Sequence, residues 1–486
     1  MSSQIMLKPL PFVDPKGRPV GGTEYSWCRA VPGGTGIAVL AILLSKPPDI
    51  ALLQNAIYEL QNSHPILKSR IHSNTSTNTI SFITSPSSTG TPSIQIKSFT
   101  LSATSSILNS LSCPANTIST FHAILEHELN QNAWYNIPNP SSCTTVDTFF
   151  ASIYALPDTK CAVVFRVHVS ACDRTTAVSI LRELLVLMGG SGEGEEEAGE
   201  KEILGNDEGK ISLGIEDLIP SGKAKKTLWA RGMDMLGYSV DSLRLTNLKF
   251  QDTRSPRSSQ VVRLQMNQNE TQRIIAGCKS RGIKLCGALV AAGLIAAYRS
   301  KRRAEDQRKK YGVVTLNDCR SILDPALSTH HFGFYHSAIL NTHVIRGGEK
   351  LWELAQKTYM AFANSKNCNK HFLDMADLNF LMCRAIEKPG LTASSSLRTS
   401  FMSVFEDPVI DQSSELRRDV IGVEDFMGCA SVHGIGPSIA IFDKITDGGL
   451  DCVCVYPAPL HSREQMQELV DAMKGILVEG GNYYME

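Results

Sequence analysis

The sequence predicts an α/β chain of two mixed domains, each a mixed sheet with flanking helices, joined by a polar crossover. Three observations predict it. A chain of 486 residues with 42% hydrophobic content can bury more than one core. Strand-like and helix-like runs alternate in each half, "CAVVFRVHV" before "TTAVSILRELL" in the first and "LCGALVAAGLIAAY" before "GVVTLNDCR" in the second. Between the halves, "GGSGEGEEEAGEKE" combines glycine with one sign of charge and cannot bury enough apolar surface to offset its ordering entropy. The expected boundaries are an N-terminal domain over 1–188, a linker and crossover over 189–260, and a C-terminal domain over 261–486.

The elements follow in order. "DIALLQNAIYELQNSHPILKSRI" opens as an amphipathic helix with Leu52, Leu53, Ala56, Ile57 and Leu60 on one stripe, ended by Pro65. The Ser/Thr-rich stretch from Ser73 to Thr120 carries short alternations, "TISFIT" and "SIQIKSF", that fit edge strands. In the second half "ETQRIIAGCKSRG" and "LCGALVAAGLIAAYRS" read as helices separated at Gly282, a residue suited to a left-handed stop. "GVVTLNDCR" and "FYHSAILNTHVI" read as strands, and "SIAIFDKITDGGLDCVCVYP" as a hairpin turning at Asp447-Gly448-Gly449. The chain closes with "SREQMQELVDAMKGIL", where Ser462 and Gln465 have capping-box spacing.

Composition narrows the function classes. Lys+Arg and Asp+Glu are equal at 48 each, so no net field recruits nucleic acid or an anionic membrane as a standing partner. The 13 Cys are odd in number, irregularly spaced and without a CxxC pair, which fits free thiols in a reducing compartment. "GIAVLAILL" is far shorter than the roughly 20 residues that span a bilayer, and the N-terminus shows no charged leader before an apolar run. A soluble, cytoplasmic, monomeric protein is expected. His330, His331 and His336 of "HHFGFYH" have no acid at ligand spacing, so no metal site is expected. There is no GxSxG, and the glycines of "VHGIGPS" match no phosphate loop. The basic run "RSKRRAEDQRKK" over 299–310 reads as a solvated helix end, with guidance of coenzyme A phosphates as the functional alternative.

The richest stretch is "FRVHVSACDRTTAVSILRELL" over 165–185. Side chains alternate on a strand, so Val163, Phe165, Val167 and Val169 share an apolar face while Val164, Arg166 and His168 share the other. Asp173 stands where an N-cap is wanted, before a helix whose stripe is Ala177, Leu181, Leu184 and Met188. Taken alone, Asp173 is a cap and His168 a strand residue with a satisfied ring.

"HVSACDRTTAVSILRELL" resembles the HHxxxDG signature of the condensation-domain and alcohol-acetyltransferase group, within the coenzyme A-dependent acyltransferases of chloramphenicol-acetyltransferase fold. The plant BAHD acyltransferases carry the shorter HxxxD form, and their DFGWG motif has no counterpart here. "NSHPILKSRI" is similar to the early HPxLRxR element of the group, and "GIKLCGALVAAGLIAAY" to the helix opening its second domain. "NDCRSILDP" is similar to the strand whose Arg, here Arg320, pairs with the signature Asp, here Asp173. When Asp173 is aligned, the second, catalytic His of the signature falls on Val169 and its Gly on Arg174, and His168 takes the place of the first His.

The resemblance implies an enzyme that moves an acyl group from acyl-CoA, as cosubstrate rather than bound cofactor, to a small hydroxyl or amine acceptor through a channel between the domains. Such enzymes need a base with a pKa near neutrality, which suits an imidazole. The expectation is that His168 is that base, turned inward by a bulge in "VSAC", with Asp173 and Arg320 holding the turn. Arg174 is expected either to contact the channel, as a counter-ion for an acidic acceptor or coenzyme phosphate, or to lie exposed in the first helical turn. His336 is a candidate to face the channel in place of the missing base. Cys172 reads as a small apolar filler. Two alternatives stand beside transfer from coenzyme A: a catalytically inactive protein of the same fold that binds a small molecule or protein partner, and condensation on separate carrier proteins.

Overall fold

In a computed structural model the structure describes residues 16–74, 77, 79–84, 94–111, 118–137, 144–189, 210–300, 308–392, 396–411 and 421–482. The acidic stretch from 190 to 202 and most of the basic run over 299–310 lie outside the described residues.

The first half contains β1 (Lys16–Pro19), α1 (Gly22–Ala30), β2 (Thr35–Leu44), α2 (Ile50–Ser63), β3 (Arg70–Asn74), β4 (Thr79–Thr84), β5 (Ile96–Phe99), α3 (Leu101–Ser110), α4 (Thr120–Leu129), β6 (Thr144–Asp147), β7 (Phe149–Ala155), β8 (Cys161–His168) and α5 (Arg174–Gly189). The crossover contributes α6 (Leu228–Arg244). The second half contains β9 (Ser258–Met266), α7 (Gln268–Ser280), α8 (Leu285–Arg299), β10 (Lys309–Asp318), β11 (His336–Ile345), α9 (Leu351–Asn367), α10 (Lys370–Leu373), α11 (Met375–Glu387), β12 (Arg398–Phe405), β13 (Val409–Asp411), β14 (Val423–Val432), β15 (Gly436–Thr446), β16 (Gly449–Ala458) and α12 (Arg463–Asn482).

These strands form three sheets. A small one runs β1-β4-β3-β6; a seven-stranded one runs β11-β10-β12-β15-β16-β9 with β13 beside β15; a five-stranded one runs β14-β2-β8-β7-β5. The last is the key to the molecule. β14 comes from the second half yet pairs antiparallel with β2, Phe426 opposite Ile42 and Cys429 opposite Val39, so the two halves share a sheet. The apolar core of the first half accordingly takes in Ala440 and Val455 of the second.

Local chemistry explains the main elements. The Asp49 carboxylate accepts from Ala51 N at 2.8 Å and caps α2. At Gly282 φ is +62°, the left-handed turn that separates α7 from α8. α8 is buried along all but its last two residues, which accounts for its uniformly apolar sequence. Among the described residues no single helix is long and apolar enough to cross a membrane. Ser462 caps Gln465 N at 3.2 Å, but the Gln465 side chain donates to Lys249 O at 3.0 Å, so the reciprocal half of the expected box is absent.

Candidate active site

β8 carries the chain to the seam between the halves and ends at His168; a 3₁₀ turn over Val169–Ala171 then leads to Asp173 and α5. The turn is held by the His168 ring itself. Its Nδ1 accepts from Ser170 N at 3.2 Å and lies 2.6 Å from Ser170 Oγ. An Nδ1 that accepts a backbone N–H is unprotonated, so the neutral ring carries its proton on Nε2. That Nε2 is buried with no hydrogen-bond partner among the described residues, and the ring meets Trp134 edge to face at 5.2 Å. Burial pushes the His168 pKa down to about 3. No bulge turns it inward, and both faces of β8 are covered. His168 sits in the protein interior, fully buried and off the cavity wall, while Val169 is on that wall. The expectation that His168 faces the channel as a base is therefore corrected: the alternation of β8 puts Val167 and Val169 on the channel side, and the ring of His168 is spent on the turn that follows.

The cavity at the seam has a volume of about 720 Å³. It is lined by β8 and α5 from the first half and by β11, β12, β14 and β15 from the second, with a wall that is predominantly aliphatic and aromatic, Trp27, Leu181, Leu316 and Phe442 among its residues.

Asp173 is the anchor of the site. It is buried, with Oδ1 accepting from Thr176 N at 2.8 Å and Oδ2 from Tyr335 N at 2.8 Å. Arg320 grips both oxygens, Nη1 to Oδ2 at 2.9 Å and Nη2 to Oδ1 at 3.1 Å. A fifth contact comes from His336 at the start of β11, whose Nδ1 lies 3.0 Å from Asp173 Oδ2. That contact lacks the direction of a good hydrogen bond, so it is one of proximity. Burial by itself would raise the Asp173 pKa; the Arg320 and His336 charges outweigh it and hold the carboxyl well below the usual range. The structure thus brings Asp173, Arg320 and His336 together, and Asp173 and His336 both line the cavity.

Arg174 also lines the cavity, but its charge is taken. Nη2 lies 2.9 Å from Asp443 Oδ1, Nη1 donates to Asp407 O at 3.1 Å, and the guanidinium rests 4.3 Å from the centre of the Phe405 ring. It is neither an exposed first-turn residue nor a free cation; it ties the start of α5 to β15. Asp443 is buried and its pKa is raised, burial being the larger effect and Arg174 opposing it. Nothing in the sequence marked Asp443, although an Asp inside the apolar run "SIAIFDKI" was the available signal. Cys172 is buried, and burial raises its thiol far above the range of a reactive thiolate. His330 lies on the loop before β11, 2.9 Å from Glu183, and does not line the cavity. Among the described residues no group of three or more His, Cys, Asp or Glu could hold a metal ion.

No family model matches the sequence, and no curated protein matches it. Solved structures do resemble it. The trichothecene 15-O-acetyltransferase from Fusarium sporotrichioides superposes with a TM-score of 0.69 at 11% identity, over 95% of this chain and 94% of that one. The cyclization-docking bidomain of a nonribosomal peptide synthetase from Sorangium cellulosum gives 0.63 at 12%, over 96% and 87%. The first condensation domain of the calcium-dependent antibiotic synthetase gives 0.59 at 12%, over 96% of each chain. At such identities the likeness shows the fold, two chloramphenicol-acetyltransferase-like domains across nearly the whole chain.

Proposed function

We propose that this chain transfers an acyl group from an acyl-CoA thioester to a hydroxyl or amine on a small molecule, with His336 as the general base. The position of His336 carries the proposal: it brings an imidazole to the cavity wall 3.0 Å from an ionised carboxylate, on the opposite domain from the missing signature His. With Nδ1 turned toward Asp173, Nε2 is the nitrogen left to accept a proton. The acceptor O–H or N–H would give its proton to Nε2 as the heteroatom attacks the thioester carbon; the C–S bond then breaks and the coenzyme thiolate takes the proton from the imidazolium. Asp173, fixed by Arg320 and two backbone N–H groups, places a negative charge beside the ring, where it offsets the positive charge that develops as the proton is transferred. The shared fold with an acetyltransferase and condensation domains supports acyl transfer in general. Holding both substrates in one cavity supplies further acceleration.

The test is acceptor-dependent release of coenzyme A, followed by mass spectrometry because of the 13 thiols. Acetyl-, malonyl- and hydroxycinnamoyl-CoA are offered with pooled alcohols and amines. We expect turnover by wild type, a loss of about 100-fold or more in His336→Gln, and turnover retained by folded His168→Gln. Full activity in His336→Gln would remove the proposal. A second function is favoured by one observation, Val169 on the wall where the signature His is expected. Thioester binding without turnover by any acceptor would assign the chain to that inactive, ligand-binding class.

A further inference from the structure

At the first residue of β12, Arg398 is 3% exposed and lines the same cavity. Its donors are spent on uncharged oxygens: Nε on Ser396 O at 3.1 Å, Nη1 on Val432 O at 3.0 Å and on Pro437 O, and Nη2 on Gly434 O. Four of the five guanidinium N–H groups are thereby used, leaving one on Nη2. Carbonyl dipoles satisfy hydrogen bonds but carry no net charge, and among the described residues no carboxylate pairs with Arg398. The surroundings add to the deficit. Arg257, half-buried, donates to the same Ser396 O at 2.5 Å and has no carboxylate partner among the described residues. Burial first and Arg257 second lower the Arg398 pKa to about 9, and burial followed by the Arg398 charge pushes His433 and His461 down to about 4. Buried charges in proteins are ordinarily paired, because desolvating an isolated ion costs several kcal/mol or more.

Two hydroxyls on the same cavity wall have no hydrogen-bond partner among the described residues. Ser400, two residues further along β12 across a register irregularity, and Thr35, at the start of β2, both line the cavity, and each has a buried hydroxyl oxygen that makes no hydrogen bond among the described residues. Thr35 borders the two glycines that Arg398 engages: a Cβ placed on Gly436, the register partner of Arg398, would lie 3.8 Å from Thr35 Cγ2, and one on Gly434, whose carbonyl Arg398 binds, would lie 2.9 Å from Thr35 Oγ1. One guanidinium N–H and two hydroxyls, in a buried region of uncompensated positive charge, make a set of donors with no acceptor of their own.

We propose that Arg398, Ser400 and Thr35 form a subsite for an anionic group, a carboxylate or phosphate, carried by a ligand whose remaining surface is apolar. The inference deepens the acyl-transfer reading by naming a substrate class, and it rests on that reading only for the identity of the reaction. Phe405, whose ring lies 6.0 Å from that of His336, is seven residues further along β12, roughly 23 Å at the rise of a parallel strand. A ligand reaching both ends is therefore long. Its anion is either an acid at the far end of the acceptor or acyl chain, or a phosphate at the far end of the coenzyme arm.

Calorimetric binding to the full chain separates these sources. One arm compares hexadecanoate with hexadecanol, the other coenzyme A with pantetheine, on wild type, Arg398→Met, Ser400→Ala and Arg257→Met. We expect at least a 10-fold preference for the anionic member in one arm, falling below 3-fold in Arg398→Met and weakened in Ser400→Ala and Arg257→Met. A preference on the fatty-acid arm places the anion on the acceptor or acyl chain; one on the coenzyme arm places it on the donor. Because Arg398 also ties the β14–β15 turn, Ser400→Ala and Arg257→Met serve as the variants that keep those ties intact. No preference in either arm, or a preference untouched by all three variants, overturns the subsite. Binding is read without turnover, so the subsite and the proposed chemistry fail independently.

Discussion

Asp173 concentrates the electrostatics of the site, and its replacement is the sharpest single-residue test of what holds the seam together. Asp173→Asn keeps the size of the side chain and one acceptor oxygen but leaves Arg320, 3% exposed, with Asp318 as its one carboxylate partner among the described residues. Removing one member of a buried ion pair typically costs about 3–5 kcal/mol, because the other charge stays desolvated. We expect urea unfolding of Asp173→Asn to show a loss of that order with an unchanged m-value; a loss below about 1 kcal/mol would mean that Arg320 is adequately served by its carbonyl contacts. The pairing of Asp173 and Arg320 was legible in the sequence, since both stand in stretches that resemble a known signature. The parity of β8 was legible too, and it correctly sets Val169 apart from His168. What parity could not show is that the second face of the strand is also covered, here by Trp134, which turns an apparently available His into an interior one. His336 could be named only as a candidate, because its proximity to Asp173 arises from the packing of two domains and leaves no trace in local spacing.

At the scale of elements, the start of α5 is fastened to β15 through Arg174 and Asp443, where the aligned signature has glycine. This arrangement predicts non-additivity. Arg174→Ala should destabilise the protein by about 3 kcal/mol, by leaving a buried carboxylate unpaired, and the double variant Arg174→Ala/Asp443→Asn should recover more than half of that loss. A double-mutant cycle by chemical denaturation measures the coupling; strict additivity would show that Arg174 acts through its stacking on Phe405 and not through Asp443. Helices such as α2 and α8 and the β15–β16 hairpin were legible because capping, hydrophobic periodicity and turn chemistry are local. β12 and β14 were not. β14 in particular reads as an unremarkable mixed stretch, "VEDFMGCASV", and acquires its place only by pairing with β2 from the other half.

Across the whole molecule, buried histidines make stability depend on pH in a window that can be specified in advance. His122 and His168 are pushed down to about 3, and His343, His371, His433 and His461 to about 4, in every case chiefly by burial. In the unfolded chain each would titrate near 6.5. Between about pH 6.5 and 4 the unfolded state therefore binds protons that the folded state refuses, so stability is full above 6.5 and falls as the pH drops. At pH 5 each such histidine has withdrawn about 2 kcal/mol, and the six together rival the roughly 5–15 kcal/mol that separates most folded domains from unfolding. Asp173 acts in a lower window: its depressed pKa gives stability that is present above about 4 and lost only below it, so carboxylate titration at this site cannot imitate the histidine effect. We expect Tm to stay level from pH 8 to 7, then fall steeply from about 6.5 and reach ambient temperature near pH 5. Proton uptake on unfolding, obtained from the slope of stability against pH, should approach six at the lower end. A Tm that held level to pH 5 would mean that these rings reach water, and with it that the His168 ring is freer than its packing against Trp134 and Ser170 allows.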